Sequence, residues 1–274
     1  LGAVSDFGDL SVARGGPASN ASYTRAMGGG GYAPGNSDVM DSFEMQSLGN
    51  AADFGNLTDE RRTATGVSSS TRGVFAGGYD GGDPGRSNII DYVTITTAAN
   101  AADFGDLVNG RNQLGGTCSS TRGVFACGNA SPTTETNFMD YITIASTGDA
   151  TDFGDATVPR HATGATGSST RAVFAGGGIT SPGTISNVID YVTISSTGDA
   201  SDFGDLTAAK ASINVSSIST ETRGIFAGGS APGLINIIEY ITTASTGDAA
   251  DFGDLTAAKT SGAGCSDTHG GLQA

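Results

Sequence analysis

Acidic residues flank a recurring Phe-Gly pair in this sequence, and they are its first candidates for chemistry. The paired carboxylates are Asp6/Asp9, Asp103/Asp106, Asp152/Asp155, Asp202/Asp205 and Asp251/Asp254. An aspartate before Phe-Gly can hold Mg²⁺ for phosphoryl transfer, but that chemistry also requires a phosphate loop, a strand lysine and a catalytic loop. The sequence shows none of these motifs. We therefore interpret the recurring segment as part of a structural scaffold.

Other metal and catalytic sites are also poorly supported. The same aspartates could bind Ca²⁺, but their spacing lacks the additional ligands of a Ca²⁺ loop. We therefore favour turn-forming hydrogen bonds and pairing with arginine as their role. A repeated cation site is the alternative. The remaining candidates are His161, His269, Cys118, Cys127 and Cys265. They provide neither a copper or four-ligand zinc set nor a nucleophile with an oriented base. We predict three unpaired thiols, no metal, no cofactor and no enzyme activity.

The scaffold is a repeat with a period near 49 residues. The phenylalanine of the recurring segment occupies positions Phe7, Phe54, Phe104, Phe153, Phe203 and Phe252. Val, Ile, Thr, Tyr and Phe cluster in short runs between glycine-rich turns, which is typical of strands, and each period contains four such runs. Four antiparallel strands per period predict a β-propeller blade.

The predicted architecture is a single all-β domain spanning residues 1–274, a six-bladed kelch-like β-propeller. Five complete units cover about 11–57, 58–107, 108–156, 157–206 and 207–255. The sixth unit is divided between 256–274 and 1–10. We expect residues 6–10 to pair in one blade with strands from 261–272, so that both chain ends close the ring.

The net charge and the placement of the cations argue against nucleic-acid and membrane partners. The formal charge is −15, so the surface repels phosphate backbones, and no apolar run approaches the roughly 20 residues that span a bilayer. Eleven of the thirteen cations lie at two repeat positions, which leaves Arg62 and Arg86 outside the repeat. One position follows a threonine: Arg25, Arg72, Arg122, Arg171 and Arg223. We expect these residues to staple the blades through aspartates of the Asp91 type. We predict no nucleic-acid binding and no membrane insertion.

Two resemblances follow from these motifs. The order Gly-Gly, Ile-Asp-Tyr, Phe, Leu and a basic residue resembles the kelch repeat over nearly the whole chain. Thr-Arg-Gly-Val-Phe-Ala-Gly-Gly, Ile-Asp-Tyr-Val-Thr-Ile and the ending Asp267-Thr268-His269-Gly270-Gly271-Leu272 resemble repeats in structural proteins of marine tailed phages, including cyanophages. This resemblance implies a virion component such as a tail fibre or other appendage, located at the particle surface, and a genuine C-terminus. It implies no catalytic residues.

Binding is expected in the variable loops between the second and third strands, at 30–37, 79–87, 129–136, 178–186 and 230–235. Divergent loops on one face of a repeat scaffold indicate a binding surface, although unconstrained loops that simply drift are the alternative. The candidate residues are Tyr32, Tyr79, Asp80, Arg86, Thr133, Glu135, Ile179, Thr184 and Leu234. Tyr32 and Tyr79 are the best anchors, unless both rings only cover their own loops.

We therefore expect host attachment through this face, with other virion proteins and a host surface glycan or protein receptor as partners. Two alternatives stay open: a purely structural decoration or spacer of the virion, and a secreted carbohydrate-binding propeller. The sequence does not define the oligomeric state.

Overall fold

The computed structural model describes residues 7–82, 85–132, 134–180, 183–213 and 218–266. Within these residues the chain forms β-strands, turns and no helix, and so no helix that could cross a membrane. Five sheets follow one another in chain order as the blades of a β-propeller, and two additional two-stranded ribbons belong to loops. The predicted all-β class and propeller architecture are therefore confirmed.

The strands of each blade are consecutive in the sequence. Blade one contains β1 (Ala18–Ala21), β2 (Arg25–Gly29), β3 (Val39–Glu44) and β4 (Ala52–Asn56). Blade two contains β5 (Thr65–Ser68), β6 (Arg72–Ala76), β7 (Ile89–Thr94) and β8 (Ala102–Asp106). Blade three contains β9 (Gly115–Cys118), β10 (Arg122–Ala126), β13 (Phe138–Thr143) and β14 (Thr151–Asp155), with the ribbon β11 (Asn129–Ser131) and β12 (Thr134–Glu135) in its loop.

Blade four contains β15 (Gly164–Gly167), β16 (Arg171–Ile179), β17 (Thr184–Thr193) and β18 (Ser201–Asp205). Blade five contains β19 (Arg223–Ala227), β22 (Ile237–Thr242) and β23 (Ala250–Asp254), with the ribbon β20 (Ser230–Ala231) and β21 (Gly233–Leu234). All strand pairs are antiparallel, as tight turns between sequential strands require.

The Asp-Phe-Gly segment is a β-bulge in the outer strand. In blade two, Ile90 pairs with Gly105 and Asp91 with Asp103, so the register skips Phe104 and its buried ring enters the contact with the next blade. Gly105 has a φ of +140°. A Cβ there would lie 2.5 Å from the carbonyl carbon of Gly148 in blade three, so only glycine fits. The motif is thus a packing device, as its repetition indicates.

The aspartates of this segment form turns. The Oδ1 atom of Asp103 accepts a hydrogen bond of 3.1 Å from the amide of Gly105, and Asp53 and Asp251 make the same bond. This confirms the predicted turn-forming role for Asp103 and Asp251 and extends it to Asp53. Burial, followed by repulsion from Asp149 and Asp103, raises the pKa of Asp106.

First strands of successive blades contact one another around the axis, and their small residues allow this crowding. A Cβ on Gly66 would lie 2.1 Å from the Ser19 carbonyl oxygen. Residues at the start of these strands also form a chain of hydrogen bonds, in which the amides of Thr63, Gln113 and their equivalents donate to the preceding blade.

Apolar clusters fill the space between consecutive blades. The interface of blades two and three combines Val74, Ile90 and Phe104 with Phe125 and Ile142, all buried. Three equivalent clusters lie between blades one and two, three and four, and four and five. The third strand is apolar on both faces because neighbouring blades cover both of them.

The stapling by arginine differs from the prediction. Asp91 pairs at 2.5 Å with Arg61, which lies in the connection before its blade, not with Arg72 of the Thr-Arg position. The equivalent buried pairs are Arg14–Asp41, Arg111–Asp140, Arg160–Asp190 and Lys210–Glu239. Arg72 instead lies 4.4 Å from the centroid of the Tyr92 ring and donates to the Ile144 carbonyl of the next blade. Its long side chain reaches across the interface more readily than into its own blade's centre.

Six blades were expected and five are found. The predicted closing blade is not confirmed, because the described terminal residues 7–10 and 261–266 belong to none of the sheets. Residues 1–6 and 267–274, including His269, lie outside the described residues. The repeat count exceeds the number of blades because, within the described residues, the sixth Asp-Phe-Gly segment is not accompanied by a second and third strand.

Candidate functional site

Connections between blades meet the variable loops on one face of the propeller. Each connection forms an antiparallel bridge with the residue that follows the glycine turn of the second strand. The bridges are Gly15–Tyr32, Arg62–Tyr79, Asn112–Asn129, His161–Gly178 and Ala211–Ser230. The variable residues of all five blades therefore line one surface, which we call the loop face. The turns between first and second strands lie at the other end of each blade.

Four side chains form a continuous patch on the loop face of blades one and two. The Arg62 guanidinium carbon lies 4.8 Å from the ring centroid of Tyr32 and 4.8 Å from that of Tyr79. The Arg86 guanidinium carbon lies 5.3 Å from the Tyr79 centroid. We call Tyr32, Arg62, Tyr79 and Arg86 the aromatic-arginine patch. Each contact lies within the roughly 6 Å range of a cation–π interaction.

Backbone geometry places these residues. Tyr79 follows Gly77 and Gly78, whose φ angles of +65° and +116° turn the chain from the second strand into the loop. Paired backbone hydrogen bonds of 2.7 Å and 3.1 Å then tie Tyr79 to Arg62. Arg62 directly follows Arg61, whose side chain is buried in its pair with Asp91. The scaffold pair therefore fixes the backbone that presents Arg62.

The loops beneath the patch are ordered by their own polar groups. Asp80 Oδ1 accepts from the amide of Gly82 at 2.8 Å, so this predicted binding residue forms a turn. The Asn36 side-chain amide donates to the Tyr79 carbonyl at 3.0 Å and joins the loops of blades one and two. Tyr32 remains 49% exposed, and Tyr79 is half-buried. Both rings thus have a defined position while Tyr32 stays accessible.

A second polar group lies across the loop face, on blades three and four. The Glu135 Oε1 atom lies 3.7 Å from His161 Nδ1 and accepts a hydrogen bond from the Thr180 amide. Burial lowers the pKa of His161, against the opposing effect of Glu135. Burial raises the pKa of Glu135, but hydrogen bonds from Thr180 reverse this, so its pKa lies below the usual value. Through these contacts Glu135 joins the loops of blades three and four.

The remaining predicted residues do not join either group. Ile179 and Thr184 pair with each other where β16 meets β17. Leu234 is exposed on the ribbon of blade five, and Thr133 lies outside the described residues. The described candidates are therefore spread around the loop face. Among them, Tyr32 and Tyr79 both contact Arg62, and Arg86 contacts Tyr79.

Arg62 is the residue that the candidate set missed. The signal was present in the sequence, because Arg62 and Arg86 are the two cations outside the repeat positions. In the part of the chain that the structure describes, no carboxylate pairs with Arg62. Arg62 is half-buried, and its guanidinium between the two aromatic rings retains N–H groups for an external acceptor. In a chain of formal charge −15, this is a local cationic surface.

Other chemistry is weakly represented. No group of three or more His, Cys, Asp or Glu residues with metal-site geometry occurs among the described residues. Cys118, Cys127 and Cys265 are free thiols, and Cys118 and Cys265 line the same small cavity near the axis. Burial raises the pKa of each of these two thiols to about 11, because surrounding protein desolvates them although each keeps some surface on the cavity.

The chain matches no protein-family model, and no curated protein matches it.

Proposed function

We propose that this propeller is a binding module of a virion appendage and that its loop face attaches to a host surface glycan through the aromatic-arginine patch. One observation carries the proposal. Arg62 contacts two tyrosines from neighbouring blades and has no carboxylate partner among the described residues. Tyrosine rings stack on the apolar faces of sugars, while guanidinium N–H groups bind their hydroxyl or carboxylate oxygens.

The chemistry favours an acidic saccharide. The molecule carries a formal charge of −15, which disfavours anions in general, whereas the two arginines outside the repeat positions meet in this one patch. Concentrating the non-repeat cations at an exposed tyrosine gives local attraction for a carboxylated or sulfated sugar. The sequence resemblance to phage structural repeats supports the location in a virion appendage. The aromatic-arginine patch supports the role in attachment to a host.

A glycan array with the purified chain tests the proposal. We expect binding to acidic glycans by the native chain, and at least tenfold weaker binding by the Tyr32→Ala/Tyr79→Ala double variant and by Arg62→Gln. Tyr23→Ala is the matched control, because Tyr23 is 60% exposed and lies in the turn between β1 and β2, away from the loop face.

The outcomes separate the alternatives. Loss of binding in the patch variants but not in Tyr23→Ala supports attachment through this patch. Unchanged binding by the folded patch variants would place the ligand elsewhere. Absence of glycan binding by the native chain would favour the structural spacer function. Adsorption of particles that carry each variant then tests the role in the virion.

A further inference from the structure

Blade one differs from the other four blades at the end opposite the loop face, which we call the turn end. In the other blades a tyrosine follows the buried acid of the third strand, at Tyr92, Tyr141, Tyr191 and Tyr240. Blade one has Ser42 at this position, because Ser42 pairs with Ala52 as Tyr92 pairs with Ala102. Blade one therefore lacks a ring that every other blade has.

The missing ring is the one that stacks on the repeating arginine of the second strand. The Arg72 guanidinium carbon lies 4.4 Å from the centroid of Tyr92. The equivalent distances in blades three, four and five are 4.2 Å, 4.5 Å and 4.3 Å. Ser42 has no ring to make this contact in blade one.

Arg25 of blade one keeps the position of its equivalents. Its guanidinium carbon lies 5.8 Å from the Phe54 centroid, and the corresponding distance in blade two is 5.9 Å. Its Nη1 atom donates to the Ile95 carbonyl of the next blade at 2.7 Å, and the corresponding bond in blade two is 2.9 Å. The face of the Arg25 guanidinium that a tyrosine covers elsewhere is therefore uncovered.

A pocket of about 260 Å³ lies at this place, and we call it the aryl pocket. Its lining includes Arg25, Ser42, Glu44, Leu48, Asp53 and, from blade two, Ala98. The equivalent pocket of blade four measures about 190 Å³ and is lined by Tyr191 and not by Arg171. A cavity of about 150 Å³ accommodates a benzene ring. The aryl pocket thus has space for an aromatic ring next to a cation.

Two exposed apolar side chains flank the aryl pocket. Leu48 is 73% exposed and Tyr23 is 60% exposed. The Met45 amide donates to the Thr24 carbonyl at 2.8 Å and so ties the turn that carries Tyr23 to the connection that carries Leu48. Small or polar residues stand at both positions in the other blades: Ser70, Ser120, Ser169 and Glu221 for Tyr23, and Ala98, Thr147, Thr197 and Thr246 for Leu48. Blade one alone has this apolar rim.

The aryl pocket is formed at the contact of blade one with blade two, and all its lining residues lie within the described range 25–98. Residues 7–9 hydrogen-bond to residues 49–51 of blade one. In the same way, residues 104–106 of blade two bond to blade three. Residues 7–9 thus stand where a preceding blade lies, on the side of blade one away from blade two.

We propose that the aryl pocket binds an aromatic side chain and that Tyr23 of a second copy of this chain supplies it. The incoming ring stacks on Arg25 as Tyr92 stacks on Arg72. Leu48 packs beside the ring at the rim. This contact does not depend on the proposed glycan binding, because the turn end lies opposite the loop face.

Self-complementarity favours this occupant. The aryl pocket and Tyr23 lie at the turn end of the same blade, so a twofold axis can bring each tyrosine to the pocket of the other copy. Tyr23 is also the residue type that fills the equivalent place in the other four blades. The formal charge of −15 opposes the association of two copies, so we expect a weak and reversible dimer.

Titration of the full chain with p-cresol, the side chain of tyrosine as a free molecule, tests the pocket. We expect p-cresol to shift the NMR resonance of the Arg25 Nε–H group saturably, because the ring stacks on the guanidinium. The compound trans-4-methylcyclohexanol has a similar size but no aromatic ring, and it should leave this resonance unchanged. Ser42→Tyr should abolish the p-cresol shift, because it fills the pocket with the ring that the other blades carry.

Sedimentation equilibrium tests the second copy. We expect the average mass of the full chain to rise toward twice the mass of one chain as its concentration increases. Tyr23→Ala and Ser42→Tyr should each weaken association about tenfold. A mixture of the two variants should recover part of it, since one supplies the open pocket and the other supplies the tyrosine. Leu234→Ala, which removes a 57% exposed side chain from the loop face, is the matched control and should have no effect.

Three outcomes would overturn the proposal. Absence of p-cresol binding by the full chain would show that the aryl pocket is closed or filled by the chain itself. Association that Tyr23→Ala and Ser42→Tyr both leave unchanged would place the contact elsewhere. A chain that binds p-cresol but stays monomeric at every concentration would assign the pocket to an aromatic group from another source.

Discussion

Lys210 Nζ lies 2.5 Å from Glu239 Oε2 in the interface of blades four and five, and both side chains are almost completely buried. The other four pairs join arginine to aspartate. Lysine is shorter than arginine, and glutamate is longer than aspartate, so the two differences from the other pairs compensate each other in length. Thr207 also donates its amide to Glu239 at 2.9 Å, as Thr58 and Thr157 donate theirs to Asp91 and Asp190.

This compensation predicts coupling between the two residues. Glu239→Ala should lower the free energy of unfolding by about 3–5 kcal/mol, because it leaves the Lys210 charge buried without a partner. Glu239→Asp and Lys210→Arg should each destabilise the chain, and the double variant should be more stable than the two single effects predict. Urea denaturation of the four proteins measures the coupling. Simple additivity would show that the pair is not a unit.

A second prediction compares two phenylalanines of the same repeat position. Phe203→Ala should lower the free energy of unfolding by about 3–5 kcal/mol, because it creates a cavity between blades four and five. Phe252→Ala should cost less than half as much, because Phe252 is 45% exposed against 2% for Phe203. Thermal unfolding of both variants checks the difference. Equal losses would show that Phe252 is as closely packed as Phe203.

A third prediction concerns two glycines in strands. Gly28→Ala should stabilise the chain by about 0.4–1 kcal/mol, because alanine restricts the unfolded chain and the added Cβ has no neighbour nearer than 3.9 Å. Gly66→Ala should destabilise it, because its Cβ would lie 2.1 Å from the Ser19 carbonyl oxygen. Chemical denaturation gives both values. A stable Gly66→Ala variant would show that the first strands are not crowded at the axis.

The buried thiols predict an alkaline loss of stability. The pKa values of Cys118 and Cys265 are raised from 9.0 to about 11, so folding favours their neutral form. Their contribution is complete below pH 9.0 and is lost as the pH rises toward about 11, because the unfolded chain ionises first. Melting temperatures from pH 8 to 11 should therefore fall less steeply in Cys118→Ala/Cys265→Ala. Parallel curves for the variant and the native chain would refute this assignment.

Thiol titration checks the state of the same residues. The unfolded, non-reduced protein should react at three thiols, since Cys118, Cys127 and Cys265 are all free. The folded protein should react slowly, because its thiolates are disfavoured near neutral pH. Only one reactive thiol after unfolding would reveal a disulfide.

Local chemistry explains why part of this fold could be predicted. Alternating strand and turn residues, and the fixed period of the Asp-Phe-Gly segment, indicated four-stranded blades because they reflect interactions within one repeat. The turn role of Asp103 was also predictable, since its partner Gly105 lies two residues away. Tyr32 and Tyr79 could be selected because they are aromatic residues outside the repeat positions.

Contacts between blades could not be predicted in the same way. Asp91 has two repeating arginines as possible partners, and only the path of the connection brings Arg61 to it. Arg62 became central to the candidate site because pairing of Arg61 and the bridge to Tyr79 aim its side chain at two rings. The predicted number of blades was wrong for a similar reason. Each Asp-Phe-Gly segment indicates one strand, whereas a blade also requires the partner strands that complete its hydrogen bonds.

The sequence by itself therefore determined the β-propeller class, the unit of four strands and the separation of scaffold from variable loops, because these depend on residue order over short distances. The tertiary structure decided which cation meets Asp91, that Arg62 joins Tyr32 to Tyr79, and that Phe252 is exposed while Phe203 at the same repeat position is buried. These contacts join residues of different blades or connections, so they depend on how each blade is rotated about the axis relative to the one before it. Small differences in the connecting segments and in the packing between blades set that rotation.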